Sequence, residues 1–304
     1  MGEQPAHGTS PANVVDVDPP GVAVVDAVAR ALAEDLLPLG DLTAALVPST
    51  TVAAVAIVSR ASGVLAGRAC AVETLRQIDP VLEVVWLIPD GGRVEPGERV
   101  AEISGPLRSI LTAERTVLNF LGHLSGVASL TRRYVDAVEA ANPATRVLDT
   151  RKTTPGLRAL EKAAVRAGGG HNHRASLSDA VLVKDNHLAG LSIAEAVARA
   201  KDLWPGRMVE VECDHLSQVD EAVAAGATVI MLDNMSIERV AGCVSQLRAD
   251  GVTTLVEVSG GVDLLAAPKL ATAGADLISV GALTHSSPVL DLGFDLALPA
   301  EEGG

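Results

Sequence analysis

The sequence predicts an α/β protein in two parts: a small N-terminal sandwich, then a run of parallel βα units. Three observations point that way. Residues 51–104 carry β-branched runs punctuated by Gly and Pro. From Arg146 onward, short apolar runs centred near Leu148, Leu182, Val211, Ile230, Val256 and Ile278 alternate with helix-like segments. Such regular spacing marks parallel βα units, closed as a barrel or left as an open doubly wound sheet. Finally, charged and glycine-rich residues gather where each of those runs stops. In α/β barrels that end of the strands carries the chemistry.

Residues 1–20 are rich in Pro, Gly, Ala and Asp without periodicity and read as a disordered tail. Val24, Val25, Val28, Leu32 and Leu36 recur at helical spacing. Gly40 is expected to end that helix and Asp41 to start a turn. Val52 to Val58 and Val84 to Ile88 read as strands, with a short helix between them over Cys70 to Ile78. Asp90 to Pro106 alternates Val or Ile with Gly and Pro, the pattern of hairpins. These hairpins resemble those of biotinyl and lipoyl carrier domains, but the turn has no Lys to bear either group, so the likeness is one of shape. Leu111 to Val138 turns helical through Val117, Leu121, Leu124, Ala128, Val135 and Val138, and Ser125-Gly126 is expected to break it into two helices. Arg115, near its start, reads as a solvated helix arginine.

A chain of 304 residues is long enough for two domains. Aromatic residues are only 2% while apolar residues are 48%, so the core must be built from Ala, Val, Leu and Ile. A formal charge of -14 argues against non-specific nucleic-acid binding. No apolar run approaches the roughly 20 residues that span a bilayer, and no charged-then-apolar leader is evident. Cys70, Cys213 and Cys243 are isolated and odd in number, which fits neither a disulfide framework nor a CxxC metal site. A cytoplasmic protein is expected.

Between Arg146 and Lys184 lie eight Lys or Arg against three Asp or Glu, inside an acidic chain. Local cationic excess on such a background points to a pocket for an anion. Arg158, Lys162 and Arg166 are spaced by four and read as a solvated helix face. Arg151, Lys152 and Lys184 do not, because each ends an apolar strand. Ser259-Gly260-Gly261 and Gly281 end the last two strands. Their backbone N–H groups could face a phosphate, helped by a following helix N-terminus, and barrels often hold phosphate at this place. Glu212 and Asp233 end strands too. They suit Mg²⁺, which takes one or two carboxylates plus phosphate oxygens, or a salt bridge to Lys152 or Lys184. His171 and His173 form an HxH pair with no third ligand of suitable spacing, so zinc is rejected; a His in this cluster would more simply donate to a carboxylate.

On these residues the chain resembles the quinolinate phosphoribosyltransferase family. The resemblance runs from about Asp35 to Leu292. It is carried in order by GDLT at Gly40, ERTVLNFLGHLSG at Glu114, DTRKTTPGLRALEKAAVRAGGGHNHR at Asp149, VLVKDNH at Val181, VEVEC at Val209, MLDNMS at Met231, VEVSGGV at Val256 and ISVGALTHSSPVLD at Ile278. It implies an α/β sandwich over residues 21–126, an irregular parallel barrel over 127–285, and a segment 286–304 packing back on the first domain. The implied reaction joins quinolinate to 5-phosphoribosyl-1-pyrophosphate, releasing pyrophosphate and CO₂ and forming nicotinate mononucleotide for NAD biosynthesis. By position, Arg115, Arg151, His173, Arg174 and Lys184 would bind the quinolinate carboxylates. Lys152, Glu212 and Asp233 would contact the donor, the two carboxylates through ribose hydroxyls and Mg²⁺. Ser259, Gly260, Gly261, Gly281 and His285 would cradle its 5-phosphate. The catalytic set would be Lys152, Lys184, Glu212 and Asp233. The resemblance also implies a homodimer with shared sites, Arg115 coming from the partner, and no nucleic-acid or membrane partner. Rival readings are Schiff-base chemistry at Lys184, a paralogue of altered specificity such as those associated with molybdate transport, and a silent phosphate-binding protein.

Overall fold

The computed structural model describes residues 17–297. Most of the expected N-terminal tail (1–16) and the end of the C-terminal segment (298–304) lie outside the described residues. Val17 packs partly buried on the core, and the Asp18 carbonyl accepts from Arg166 Nη2 at 2.8 Å.

Helix α1 (Gly21–Leu36) buries one stripe, Val24, Ala27, Val28 and Leu32. It stops before Pro38, which disfavours helical geometry at Leu37. Gly40 turns the chain at φ +74, and Asp41 Oδ1 accepts from the N–H groups of Thr43 and Ala44. Strand β1 (Val52–Ser59) turns Val55 and Ile57 inward and leaves Val52 and Ala54 exposed. Then come β2 (Gly63–Val64), α2 (Arg68–Ile78), β3 (Glu83–Trp86), β4 (Arg93–Val94) and β5 (Arg99–Pro106). β5 pairs antiparallel with β1 and β3, while β2 and β4 form a separate ribbon.

Helix α3 (Leu107–Ala141) is continuous over 35 residues, so the break expected at Ser125-Gly126 does not occur. Both small residues serve close approach instead. Ser125 Oγ accepts from the Ala66 N–H at 2.9 Å. A Cβ on Gly126 would stand 2.1 Å from the Pro288 carbonyl oxygen. At 1.5 Å rise per residue the helix is about 50 Å long. Its first half packs Ile110, Val117 and Leu121 into the core of the antiparallel sheet, and its second half packs Val127, Val135 and Val138 into the second core.

Beyond α3 the strands and helices alternate: β6 (Arg146–Leu148), α4 (Arg158–Ala167), β7 (Val181–Val183), α5 (Asp185–Leu188), α6 (Ile193–Leu203), β8 (Val209–Cys213), α7 (Leu216–Ala224), β9 (Val229–Asp233), α8 (Ile237–Ala249), β10 (Leu255–Ser259), α9 (Ala267–Thr272), β11 (Leu277–Ser279) and α10 (Ala282–His285). Ser192 and Ser236 cap α6 and α8 by accepting backbone N–H groups of Glu195 and Arg239. The described strands form a six-stranded sheet in the order β6-β11-β10-β9-β8-β7, every pairing parallel. Val211, Ile230, Val256 and Ile278 face the helices. The opposite phase of the same strands, Glu210, Met231, Glu257 and Ser279, is buried in the interior of the irregular barrel. Beside β6, where the ring of strands is interrupted, His171 makes a single parallel bridge with Leu148.

The last strand, β12 (Leu292–Ala297), returns to pair antiparallel with β1 from Ser59↔Leu292 to Ala54↔Ala297, completing a sheet of order β12-β1-β5-β3.

Candidate active site

Parallel strands end on one edge, so the strand-end residues converge. They surround a cavity of about 540 Å³. β6 supplies Arg151 and Lys152, β7 supplies Lys184, and β8 and β9 supply Glu212 and Asp233. Ser259, Gly260 and Gly261 follow from β10, and His173 and Arg174 enter from the loop before β7. Gly281 and His285 stand at the edge of this group: a Cβ on Gly281 would lie 3.1 Å from both His285 Nε2 and Lys152 Cδ. Arg115 does not join them; it is exposed on α3 and lines no part of the cavity.

The cations are fixed by hydrogen bonds to backbone carbonyls, their own or a neighbour's, more than by countercharges. Thr284 Oγ1 donates to the Lys152 carbonyl at 2.7 Å. Arg158 donates to Thr153 Oγ1 and to the Arg151 carbonyl. Arg174 Nη1 donates to the Ala180 carbonyl at 3.2 Å. Among the described residues none of Arg151, Lys152 and Arg174 is in a salt bridge, and Arg151 Nε is buried without a hydrogen-bond partner. Burial, then the like charge of Arg151, pushes Arg174 down from its ordinary value. Lys184 is paired with Glu212, and Asp233 accepts from Asn234 Nδ2 at 2.6 Å.

Gly260 is required by close approach: at φ +100 a Cβ would stand 2.2 Å from Asn234 Oδ1. Neither glycine loop leads directly into a substantial helix. α9 begins only at Ala267 and α10 has four residues. Anion binding there would rest on backbone N–H groups rather than on a long helix dipole.

Beneath His173 lie two buried carboxylates, Glu210 and Glu257, which the sequence places near strand ends without a role. His173 Nε2 is 3.0 Å from Glu210 Oε2 and 3.5 Å from Glu257 Oε2, and both glutamates are essentially inaccessible. The Glu210 contact is out of line for a hydrogen bond. Ser279 Oγ donates to Glu257 at 2.6 Å. Burial alone would lower His173, but Glu210 and Glu257 outweigh it and push it up to about 10. Burial raises Glu210 as well. His173 and Glu210 titrate as a pair, so that proton belongs to both. Nδ1 accepts from the Arg174 N–H at 2.8 Å, which places the proton of a singly protonated ring on Nε2. The three ligand atoms lie within 4.8 Å of one another, close enough for a metal ion. A ring ligating through Nε2 would need its proton on Nδ1, where the Arg174 N–H already points. The cluster therefore suits a proton better than an ion. The signal for Glu210 was available: it shares the phase of Glu212 in a period-two strand.

Lys162 is a correction. It is not on a solvated face but buried, in an ion pair with the inaccessible Asp149. A four-residue spacing cannot distinguish a helix face turned to water from one turned to a buried carboxylate.

Mg²⁺ fits the donor set in a limited way. Glu212 and Asp233 come from neighbouring strands, and among the described lining residues no further carboxylate joins them. Two carboxylates suit an ion shared with phosphate oxygens, not a closed protein cage.

Comparison with known proteins agrees across both halves. Residues 41–125 match the family model "Quinolinate phosphoribosyl transferase, N-terminal domain", and residues 127–295 match its C-terminal counterpart. The nicotinate-nucleotide pyrophosphorylase [carboxylating] of Mycobacterium leprae is 41% identical over 278 residues, covering 90% of this chain and 97% of that one. The Rattus norvegicus enzyme of that name is 39% identical over 261 residues, 85% of this chain and 86% of its own. The solved nicotinate-nucleotide pyrophosphorylase from Francisella tularensis superposes with a TM-score of 0.86 at 40% identity, over 91% of this chain and 97% of its own. With both halves matched and the strand-end residues gathered at one cavity, the chain belongs to the quinolinate phosphoribosyltransferase family.

Proposed function

We propose that the cavity joins quinolinate to 5-phosphoribosyl-1-pyrophosphate, forming nicotinate mononucleotide with release of pyrophosphate and CO₂, a step of NAD biosynthesis. The observation that carries this reading is the set of three cations, Arg151, Lys152 and Arg174, around one cavity of an acidic chain, none with a carboxylate partner among the described residues. Unpaired charge in a partly buried site is costly and is retained where a ligand supplies the counterion.

Arg151 and Arg174 hold the two carboxylates of the planar ring, with bidentate geometry fixing its orientation. Lys184 exchanges its Glu212 partner for substrate, and His173 faces the ring over its buried carboxylates. Lys152 meets the donor phosphates, and the backbone of Ser259 to Gly261, with Gly281 and His285, takes the 5-phosphate. The ring nitrogen attacks ribose C1 as the C1–O bond breaks and its electron pair leaves with pyrophosphate. Positive charge develops on the ribose near Glu212 and Asp233, which stabilise it. These two carboxylates would also hold Mg²⁺, which supplies charge neutralisation for pyrophosphate. The ribosylated ring is cationic, so it accepts the electron pair when the C2–carboxylate bond breaks, and a proton then replaces CO₂ at C2. No covalent catalyst is needed; orientation and electrostatics are the main terms.

The site is completed in a homodimer, by the partner subunit's Arg115. In its own chain Arg115 lies off the cavity, beside the loop that Asp41 ties to Thr112. That loop exposes Leu37, Leu39, Leu42 and Leu46, the last at 83%. Apolar exposure of this kind marks an interaction surface. Residues 21–126 are read as one domain and 127–285 as the catalytic one. The three cysteines are free and buried, in keeping with a cytoplasmic setting.

The direct test mixes the protein with quinolinate, the phosphoribosyl donor and Mg²⁺, and again with EDTA, and measures nicotinate mononucleotide. Product that needs the metal is expected. Absence of product with every component present would remove the reading.

A further inference from the structure

The His173–Arg174 segment is an odd place for substrate contacts. It lies where β6 and β7 are not paired with each other among the described strands, so no continuous ladder fixes it. His171 makes one bridge to Leu148. Behind the segment is a second cavity of about 500 Å³, and His173 and Arg174 border both. The wall is therefore thin and has room on either side.

What holds it is a buried ion pair. Asp149, just past β6, is inaccessible, and Lys162, on α4, is nearly so. Asp149 Oδ1 accepts from Lys162 Nζ and from the His173 backbone N–H, the latter at 2.9 Å. Lys162 Nζ also donates to the His173 carbonyl at 2.8 Å. Both polar backbone groups of His173 are thus taken by the two ends of one ion pair. Asn172 reinforces it: its Nδ2 donates to Asp149 Oδ2 at 2.6 Å and to the Lys162 carbonyl at 2.9 Å, and its Oδ1 accepts from Arg166. The clamp extends one residue further, because His173 Nδ1 receives the Arg174 N–H.

We propose that Asp149 and Lys162 are positioning residues: a buried ion pair that replaces the missing strand pairing and holds the His173–Arg174 main chain at the quinolinate site. This rests on the reading of the cavity given above. The physical case is that such pairs are poor stabilisers. Burial pushes the Asp149 carboxyl up and the Lys162 ammonium down. Replacing a buried pair by apolar residues is often neutral or stabilising, so its worth lies in fixing geometry. A misplacement of about 1 Å can cost as much as about 100-fold in rate.

The test is the double variant Asp149→Leu/Lys162→Met, which keeps the volume apolar and removes the clamp. Its melting temperature should fall only modestly, because the His173 N–H and carbonyl lose these partners while two costly buried charges are removed with them. Backbone amide exchange should accelerate over residues 171–176 and not across the barrel. KM for quinolinate should rise by about tenfold or more, with KM for the phosphoribosyl donor within about twofold. Should the double variant fail to fold, Asn172→Ala keeps the pair and should shift both readouts the same way by less. Unchanged local exchange in a folded variant overturns the clamp, and faster exchange with an unchanged KM for quinolinate overturns its role at the site. Amide exchange needs no turnover, so an inactive wild type would sink the functional reading while leaving the clamp to be judged separately.

Discussion

At the scale of single residues, the chemistry depends on charges that the fold leaves unmatched. Arg151 and Arg174 have no salt-bridge partner among the described residues, so selectivity should follow the number of substrate carboxylates. Nicotinate offers one fewer than quinolinate. Losing one desolvated charge contact costs roughly 2–5 kcal/mol, so nicotinate should turn over far more slowly in parallel assays; comparable rates would contradict the site assignment. His173 yields a pH prediction. Its proton is held to about 10 in the folded protein against 6.5 for a free imidazole. Between those values the folded state binds more protons than the unfolded state, so stability falls as pH rises through that window. The contribution is fully present below about 6.5 and gone above about 10. Melting temperatures measured across the window should decline for wild type, and His173→Gln should flatten the decline. Comparing the two proteins also separates His173 from the buried thiols Cys70 and Cys213, which burial pushes up to about 12.

The decisive element is α3. Its continuity through Gly126 couples the antiparallel sheet to the parallel one, because a single rod packs in both cores. Gly126 is a spacer for the returning chain at Pro288. Two accounts of this glycine differ in sign. A helix-breaking glycine would be relieved by alanine, a gain of about 1 kcal/mol. A spacer would be crowded by alanine, a loss of about 1–3 kcal/mol from overpacking. Gly126→Ala should therefore lower the melting temperature, and a rise would favour the helix-breaking account.

For the whole molecule, the open question is which Arg115 serves which cavity. An isologous dimer predicts complementation. Arg115→Ala and Lys184→Ala should each be nearly inactive alone. After subunit exchange of an equal mixture, half the dimers are mixed, and each carries one site with both residues intact. About a quarter of the wild-type sites should return. No recovery, with exchange verified by an independent tag, would place Arg115 with its own barrel or away from the site.

Period-two and period-3.6 patterns were enough, on their own, to read the parallel βα units, the apolar core and the edge where Arg151, Lys152, Lys184, Glu212 and Asp233 meet. This works because the carboxyl ends of parallel strands must share one edge, so a residue that ends a strand needs no further information to be placed there. What faces what across the interior was not readable in that way. Glu210 and Glu257 come from strands far apart in sequence and converge on His173 only when the sheet curls. Lys162 looked solvated until α4 docked it on Asp149, and Gly126 looked like a break until the returning chain lay across it. In each case a local pattern specifies a face of an element, but the partner of that face is chosen by packing between segments the pattern does not connect. Tertiary structure decided these pairings because burying a charge or bringing two backbones into contact is tolerable only where the opposite group is already in place.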